Sequence, residues 1–279
     1  MKQLTQNVFV ETGQRGSNHG FVTTSDGLVL IDGPHKPSDT LRLKADLERR
    51  GPLRYILNTE PHGDHWTSNA YFDVPVVAHA GVRERILGTN MAEHVARVAT
   101  FGPDEGKLLE GYRPNAPVIT FEREMTLHVG HHTFRMIAMP GHTTSQAAIV
   151  VEEDGVVFTS DNVFCKVQTW LQEANPDRWL ESLDALRAFS AETLVPGHGL
   201  VCDKRYLDEQ EAFIREWVDY VQRAVERGVT KEQALDQLTA MTDRYPMDVE
   251  QDGMAPRVMR LNVANLHDFV TGTGIHQRS

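Results

Sequence analysis

Four times along this 279-residue chain, a short apolar run ends in ligand-type side chains, three of those times beside Gly or Pro. Leu53 to Leu57 runs into Asn58-Thr59-Glu60-Pro61-His62-Gly63-Asp64-His65, and a later strand gives way to Met139-Pro140-Gly141-His142. Val156 to Thr159 is followed by Ser160-Asp161, and Thr193 to Val195 leads into Pro196-Gly197-His198-Gly199. Glycines and prolines at such ends let backbone approach closely. Together these stretches offer seven ligand candidates.

The remaining periodicity supplies those sheets. Gln6 to Val10, Gly20 to Thr24 and Leu28 to Ile31 read as strands, the last two joined by a Ser25-Asp26-Gly27 hairpin turn. Pro37 and Ser38 open a helix that carries Leu41, Leu43 and Leu47 and stops at Gly51-Pro52. A short helical segment from Trp66 to Phe72 precedes a strand over Pro75 to His79. Strands return from Val118 to Ala138 with Gly130 as the turn, then Ala147 to Val151 and Val156 to Thr159 pair around Asp154-Gly155. Asp177 to Ser190 is helical, and Pro196 to Gly199 reads as a loop. The chain then ends in helices, where Leu207, Phe213, Ile214, Trp217, Val218, Val221 and Val225 share one face. Strands and helices in each half, closed by helices, predict two sheets packed face to face with helices outside. One domain over 1–279 is expected, with the 204–279 helices packed on it. Residues 82–113 lack a clear strand and read as a lid insertion facing substrate.

Composition narrows the function classes. Lys+Arg number 28 against 39 Asp+Glu, a net charge of −11, which argues against a nucleic-acid partner. The longest uninterrupted apolar stretch, Ala147 to Val151, is far short of a membrane span, and Met1 to Glu11 has no apolar signal core. Cys165 and Cys202 make no disulfide framework and read as inert thiols. A cytoplasmic protein acting on a small molecule is expected, with apolar positions on the late helices for a homodimer contact.

The densest signal is Glu60-x-His62-x-Asp64-His65. Four ligand types in six residues suit a metal, because alternating positions point together as the loop wraps. The structural alternative is a polar loop opening a helix, with Asp64 or Thr67 as its N-cap.

Taken with Gly141-His142, Ser160-Asp161 and Gly197-His198-Gly199 in that order, the cluster resembles the metallo-β-lactamase superfamily of metal-dependent hydrolases. The resemblance covers Val8 to Tyr220 and includes the early strand Gly27-Leu28-Val29-Leu30-Ile31-Asp32-Gly33. It implies an α+β, four-layer αββα sandwich with a two-metal site at the sheet edges. Glu60, His62 and His142 would hold one metal; Asp64, His65 and His198 would hold the second; Asp161 would bridge. Two divalent ions in such a site sit roughly 3.5–4 Å apart, activate water and polarise the scissile group. Asp64 is then also the catalytic carboxylate, orienting the water or accepting its proton.

Glu60 departs from the family pattern, which has His there. A carboxylate is a harder ligand than imidazole, so the expected metal, zinc, competes with iron or manganese. The alternative is that Glu60 salt-bridges a neighbour while water fills its coordination position. Lys166, five residues past Asp161, stands near where relatives place a cation for a substrate carboxylate, and His19 and His35 lie in early loops that border the cleft in this family. His79, His94, His128, His131, His132, His267 and His276 match no family position and read as surface or core residues. Trp66, Met91, Phe101, Tyr112 and Trp170 can line a pocket, with core packing as the default. The expected reaction is hydrolysis of a small ester, lactone, thioester or amide; iron-dependent redox chemistry and β-lactam hydrolysis are the alternatives, with a degenerate binding module behind them. No Tyr occurs in 143–160, where quorum-lactone hydrolases carry one.

Overall fold

The computed structural model describes residues 1–237 and 244–273. One seven-stranded sheet is ordered β1 (Lys2–Gln3), β2 (Val8–Glu11), β3 (His19–Thr24), β4 (Gly27–Ile31), β5 (Leu53–Leu57), β6 (Val76–His79) and β7 (Ile119–Phe121). The second sheet is ordered β13 (Cys202–Asp203), β12 (Thr193–Gly199), β11 (Val156–Cys165), β10 (Ala147–Val151), β9 (His132–Ala138) and β8 (Glu124–Val129). Strands β4 to β7 run parallel, as do β11 and β12, and the other pairs are antiparallel.

Alternation along the strands builds the layers. Val29 and Ile31 of β4 and Ala147, Ile149 and Val151 of β10 turn inward and meet in one core between the sheets. Leu28 and Leu30 turn outward onto Leu43 and Leu47 of α1 (Pro37–Arg50). Ala148 and Val150 turn outward onto α6 (Pro176–Arg187), α7 (Tyr206–Glu226) and α9 (Ala255–Thr271) through Trp179, Leu183, Phe213, Ile214, Trp217 and Val263. The result is the expected αββα sandwich. The apolar face read on α7 is buried or half-buried, whereas Leu41 of α1 points to solvent. The remaining helices are α2 (Gly63–Trp66), α3 (Ala80–Gly88), α4 (Met91–Val98), α5 (Glu105–Leu108) and α8 (Lys231–Gln237). Among the described residues, no helix is long and apolar enough to cross a membrane.

Two strands run further than their sequence suggests, and both carry site residues. β11 continues to Cys165, so Asp161 lies within it rather than after it. β12 includes Pro196 to Gly199, so His198 stands on a strand, not in a loop. The pair tolerates Pro196 because its register is broken there: it shifts between Phe158 and Ser160 and again before Phe164, and Ser160 takes a positive φ of 54°. Irregular ladders of this kind re-aim side chains, and this one turns Asp161 and His198 to the same edge.

Candidate metal centre

The loop after β5 is held in shape by its own polar groups. Asn58 Nδ2 donates to the His65 carbonyl at 2.9 Å, Trp66 Nε1 donates to the Pro61 carbonyl at 2.9 Å, and the His62 backbone N–H donates to Glu60 Oε1 at 2.7 Å. Asp32, at the end of β4 with φ of 52°, accepts from the Thr59 N–H at 2.9 Å and from Thr59 Oγ1 at 2.6 Å. The strand that anchors one half of the fold thus fixes the loop that carries four of the seven candidates.

All seven candidates converge in two groups. Glu60, His62, His142 and Asp161 each offer a ligand atom within 4.8 Å of the others, and Asp64, His65 and His198 form the second group under the same limit. His62 Nδ1 is 3.0 Å from Glu60 Oε1 and 3.3 Å from His142 Nε2. His65 Nε2 is 3.2 Å from Asp161 Oδ1, and His198 Nε2 is 3.4 Å from both Asp64 Oδ2 and Asp161 Oδ2. Asp161 therefore stands between the two groups.

Each imidazole meets a second partner through its other nitrogen. His65 Nδ1 is 2.9 Å from Asp32 Oδ2, His142 Nδ1 is 2.8 Å from the Trp170 carbonyl, and His198 Nδ1 is 2.8 Å from Asp248 Oδ2. His62 Nε2 faces Glu173 Oε1 at 3.7 Å, and that carboxylate is paired with Arg85 at 2.7 Å. Outer partners of this kind set the tautomer and orientation of metal-binding histidines.

The donor set fits divalent metal. Three carboxylates and four imidazoles are packed at one point, with Glu60 and His65 fully buried. His65 Nε2 and Asp161 Oδ1 are buried with no hydrogen-bond partner, although both face the cluster. Protons occupy the place of a cation electrostatically: burial works against the charged form of His62, but Glu60 and Glu173 carry it up to about 10. His65 and His198 are likewise raised against the cost of burial, chiefly by Asp161, while Asp64 and Asp161 are held well below the usual carboxylate range by the surrounding histidines despite their burial. Buried charges are tolerated when paired or when they coordinate a metal.

The cluster forms the floor of a 620 Å³ cleft, a volume suited to a small molecule. Its walls include Arg85, Thr89, His94, Arg97, Thr100 and Phe101, so part of the segment expected to face substrate does border the cleft. Trp66 and Trp170 also line it, whereas Met91 and Tyr112 pack in a small core under Trp66. His35 lines the cleft, edge-on to Phe101 at 4.8 Å, and burial pushes it down to about 3.

Two residues expected at substrate do not line the cleft. His19 is buried at the start of β3, its Nδ1 without a partner, and burial lowers it to about 4. Lys166 is half-exposed and paired with Glu209 at 2.7 Å. Its backbone, with φ of 64° and its N–H donating to Tyr206, leaves β11 away from the metal edge. Of the histidines set aside, His94 lines the cleft, while His79, His128, His131, His132 and His267 do not; His276 lies outside the described residues. Cys165 is buried and Cys202 half-buried, both free. Asp248, Glu173, Arg15 and Arg97 escaped the sequence reading, since each is a single charged residue with no motif around it.

Residues 12–198 match the metallo-beta-lactamase superfamily, and the chain belongs to it. Among its relatives is a hydroxyacylglutathione hydrolase of Methylococcus capsulatus, 31% identical over 154 residues that make up 53% of this chain and 49% of the relative. The chain thus spans about half the length of that protein. A lactamase-like protein, nscB, of Trichophyton equinum is 24% identical over 88% of this chain and 71% of its own length. Of solved structures, a metallo-beta-lactamase family protein from Thermus thermophilus superposes with a TM-score of 0.70 over 97% of this chain and 95% of its own, at 17% identity, a likeness of fold.

Proposed function

We propose that this chain is a metal-dependent hydrolase that cleaves a small-molecule ester or thioester, with two divalent ions held in the cluster at the cleft floor. The observation that carries this reading is the convergence of Glu60, His62, His142 and Asp161 beside Asp64, His65 and His198, at the bottom of a cleft of small-molecule size. The name of the Methylococcus relative, a thioester hydrolase, supports the choice of thioester within the family. Bound there, divalent ions would supply an activated water and polarise the scissile carbonyl.

The chain's own residues account for the rest. Asp161, between the two groups, would be within reach of both ions. Both Asp64 and Asp161 line the cleft, and Asp64, with a side chain 19% exposed against 4% for Asp161, is the more open carboxylate and the one that would orient a water or accept its proton. Trp66 and Trp170 supply apolar walls that help to exclude bulk water. Glu60 hardens the first group relative to a histidine, which moves preference from zinc toward manganese or iron.

The test is metal analysis of the protein as purified, followed by loading with zinc, manganese or ferrous iron and assay against S-acyl glutathiones, aryl esters, lactones and amides. Two ions per chain and turnover of an ester or thioester are expected, with Glu60→His shifting the manganese-to-zinc affinity ratio toward zinc by about tenfold, some 1.4 kcal/mol. Oxygen uptake by the iron form without hydrolysis would replace this reading with redox chemistry. No metal retained after loading would remove both.

A further inference from the structure

The cleft of a chain with net charge −11 is lined by four arginines: Arg15, Arg85, Arg97 and Arg257. Arg85 is neutralised by Glu173 at 2.7 Å. Arg15 and Arg97 have no carboxylate within ion-pair distance among the described residues. Glu250, one of two acidic neighbours of Arg15 with Asp64, hydrogen-bonds it through its backbone carbonyl and pairs its carboxylate with Lys36 at 3.1 Å.

Both guanidiniums are placed by aromatic and imidazole partners instead. Arg15 stacks on Phe101, its central carbon 4.1 Å from the ring centroid, and its Nε is buried without a hydrogen-bond partner. Arg97 Nη2 is 3.3 Å from His94 Nδ1, and His94 is itself stacked on Trp66 at 4.6 Å and 3.0 Å from Thr67 Oγ1. A Cβ at residue 63 would lie only 3.1 Å from Arg97 Nη2, so this guanidinium rests on Gly63, between His62 and Asp64. The two arginines also have a common neighbour: burial keeps His35 neutral against the pull of Asp64, with Arg97, His94 and Arg15 adding to it. Burial weighs against the charge of Arg15, Glu250 and Asp64 attract it from beyond ion-pair distance, and Arg97 repels it, so two guanidiniums without a direct carboxylate partner stand on one side of the cleft. The planar fork of arginine matches carboxylates and other oxyanions in a bidentate manner.

We propose that Arg15 and Arg97 form an oxyanion-recognition subsite, so that the substrate carries a carboxylate, or an oxyanion of similar geometry, remote from the bond that is cut. This rests on the hydrolase reading for the bond, while the anion subsite stands on the arginines alone. Phe101 fixes the plane of Arg15, and the His94–Trp66 stack sets Arg97 over the ligand loop, so the anion is held within a short span of the cluster.

The test uses two probes that share a scissile ester and differ only in the remote group: mono-4-nitrophenyl glutarate and its methyl ester. Metal-loaded protein should favour the acid at least tenfold in kcat/KM. Arg97→Gln and Arg15→Gln should collapse that ratio toward one, mainly through KM for the acid, with Arg97→Lys intermediate. Glutarate binding to chelator-treated protein, followed by calorimetry, provides a readout that needs no turnover, and each Gln variant should weaken it at least tenfold. Because Arg97 is exposed, its variant carries the test even if Arg15→Gln fails to fold. Equal hydrolysis of both esters with an unchanged ratio in the variants overturns the subsite and leaves the hydrolase standing. Arginine-dependent glutarate binding with neither ester cleaved leaves the subsite and overturns the ester reading. Glutarate binding indifferent to both substitutions overturns the subsite outright.

Discussion

Asp248 Oδ2 lies 2.8 Å from His198 Nδ1, so a carboxylate fifty residues further along the chain orients a candidate ligand on β12. Both groups are buried, and the segment around Asp248 also supplies Gln251, Gly253 and Met254 to the cleft wall. Asp248→Asn should lower metal affinity by roughly 10–100-fold, because the amide cannot favour the imidazole orientation as a carboxylate does. Chelator competition on the loaded protein measures this, and an unchanged affinity would reduce Asp248 to a packing role.

Gly197 offers a steric test of the same edge. A Cβ there would stand 1.8 Å from Asp161 Oδ1 and 2.8 Å from the Asp161 backbone nitrogen. The side chain can swing away, but the backbone of β11 cannot yield without moving the bridge position. Gly197→Ala should cost about 1–3 kcal/mol in denaturant unfolding and reduce the metal content of the purified protein. Gly88→Ala, at the end of α3 with nothing within 4 Å of the added carbon, is the control and should be neutral or slightly stabilising. Equal behaviour of the two variants would contradict the close approach of β11 and β12.

Metal loading should release protons. In the metal-free protein His62 is carried up to about 10, and His65 and His198 are raised as well, so imidazolium ions occupy positions that a metal needs neutral. A raised folded-state value stabilises the metal-free fold fully below the unfolded histidine value of about 6.5, and that contribution fades as pH climbs toward 10. Apparent metal affinity should therefore rise between pH 6 and pH 9 while metal-free stability falls. Titration calorimetry in two buffers of different ionisation enthalpy reads the proton count, and proton uptake on binding would contradict the assignment.

Much of this site is written locally in the chain. The Glu60-x-His62-x-Asp64-His65 spacing lies in one loop whose hydrogen bonds close within eight residues, so the sequence alone presents four of the seven convergent groups. His142, Asp161 and His198 were legible because each interrupts an apolar strand beside Gly, Pro or a bulge. The layers were legible from the order of strands and helices in each half, whereas the split of β4 and β10, apolar throughout, between an inner and an outer face is seen only in the structure.

Tertiary structure decided everything that depends on charges meeting across the chain. Asp32 on His65, Asp248 on His198 and Glu173 between His62 and Arg85 join residues up to 111 positions apart, and a lone Asp, Glu or Arg carries no periodic signal of its partner. Proximity in sequence misled in the other direction. Lys166 follows Asp161 by five residues, yet the backbone turns at a positive φ and gives it to Glu209, while Arg15 and Arg97, from two separate segments, arrive at the cleft. Local hydrogen bonding and side-chain periodicity are properties of the chain itself; which charges share a cleft is fixed only when the two sheets and their flanking segments pack together.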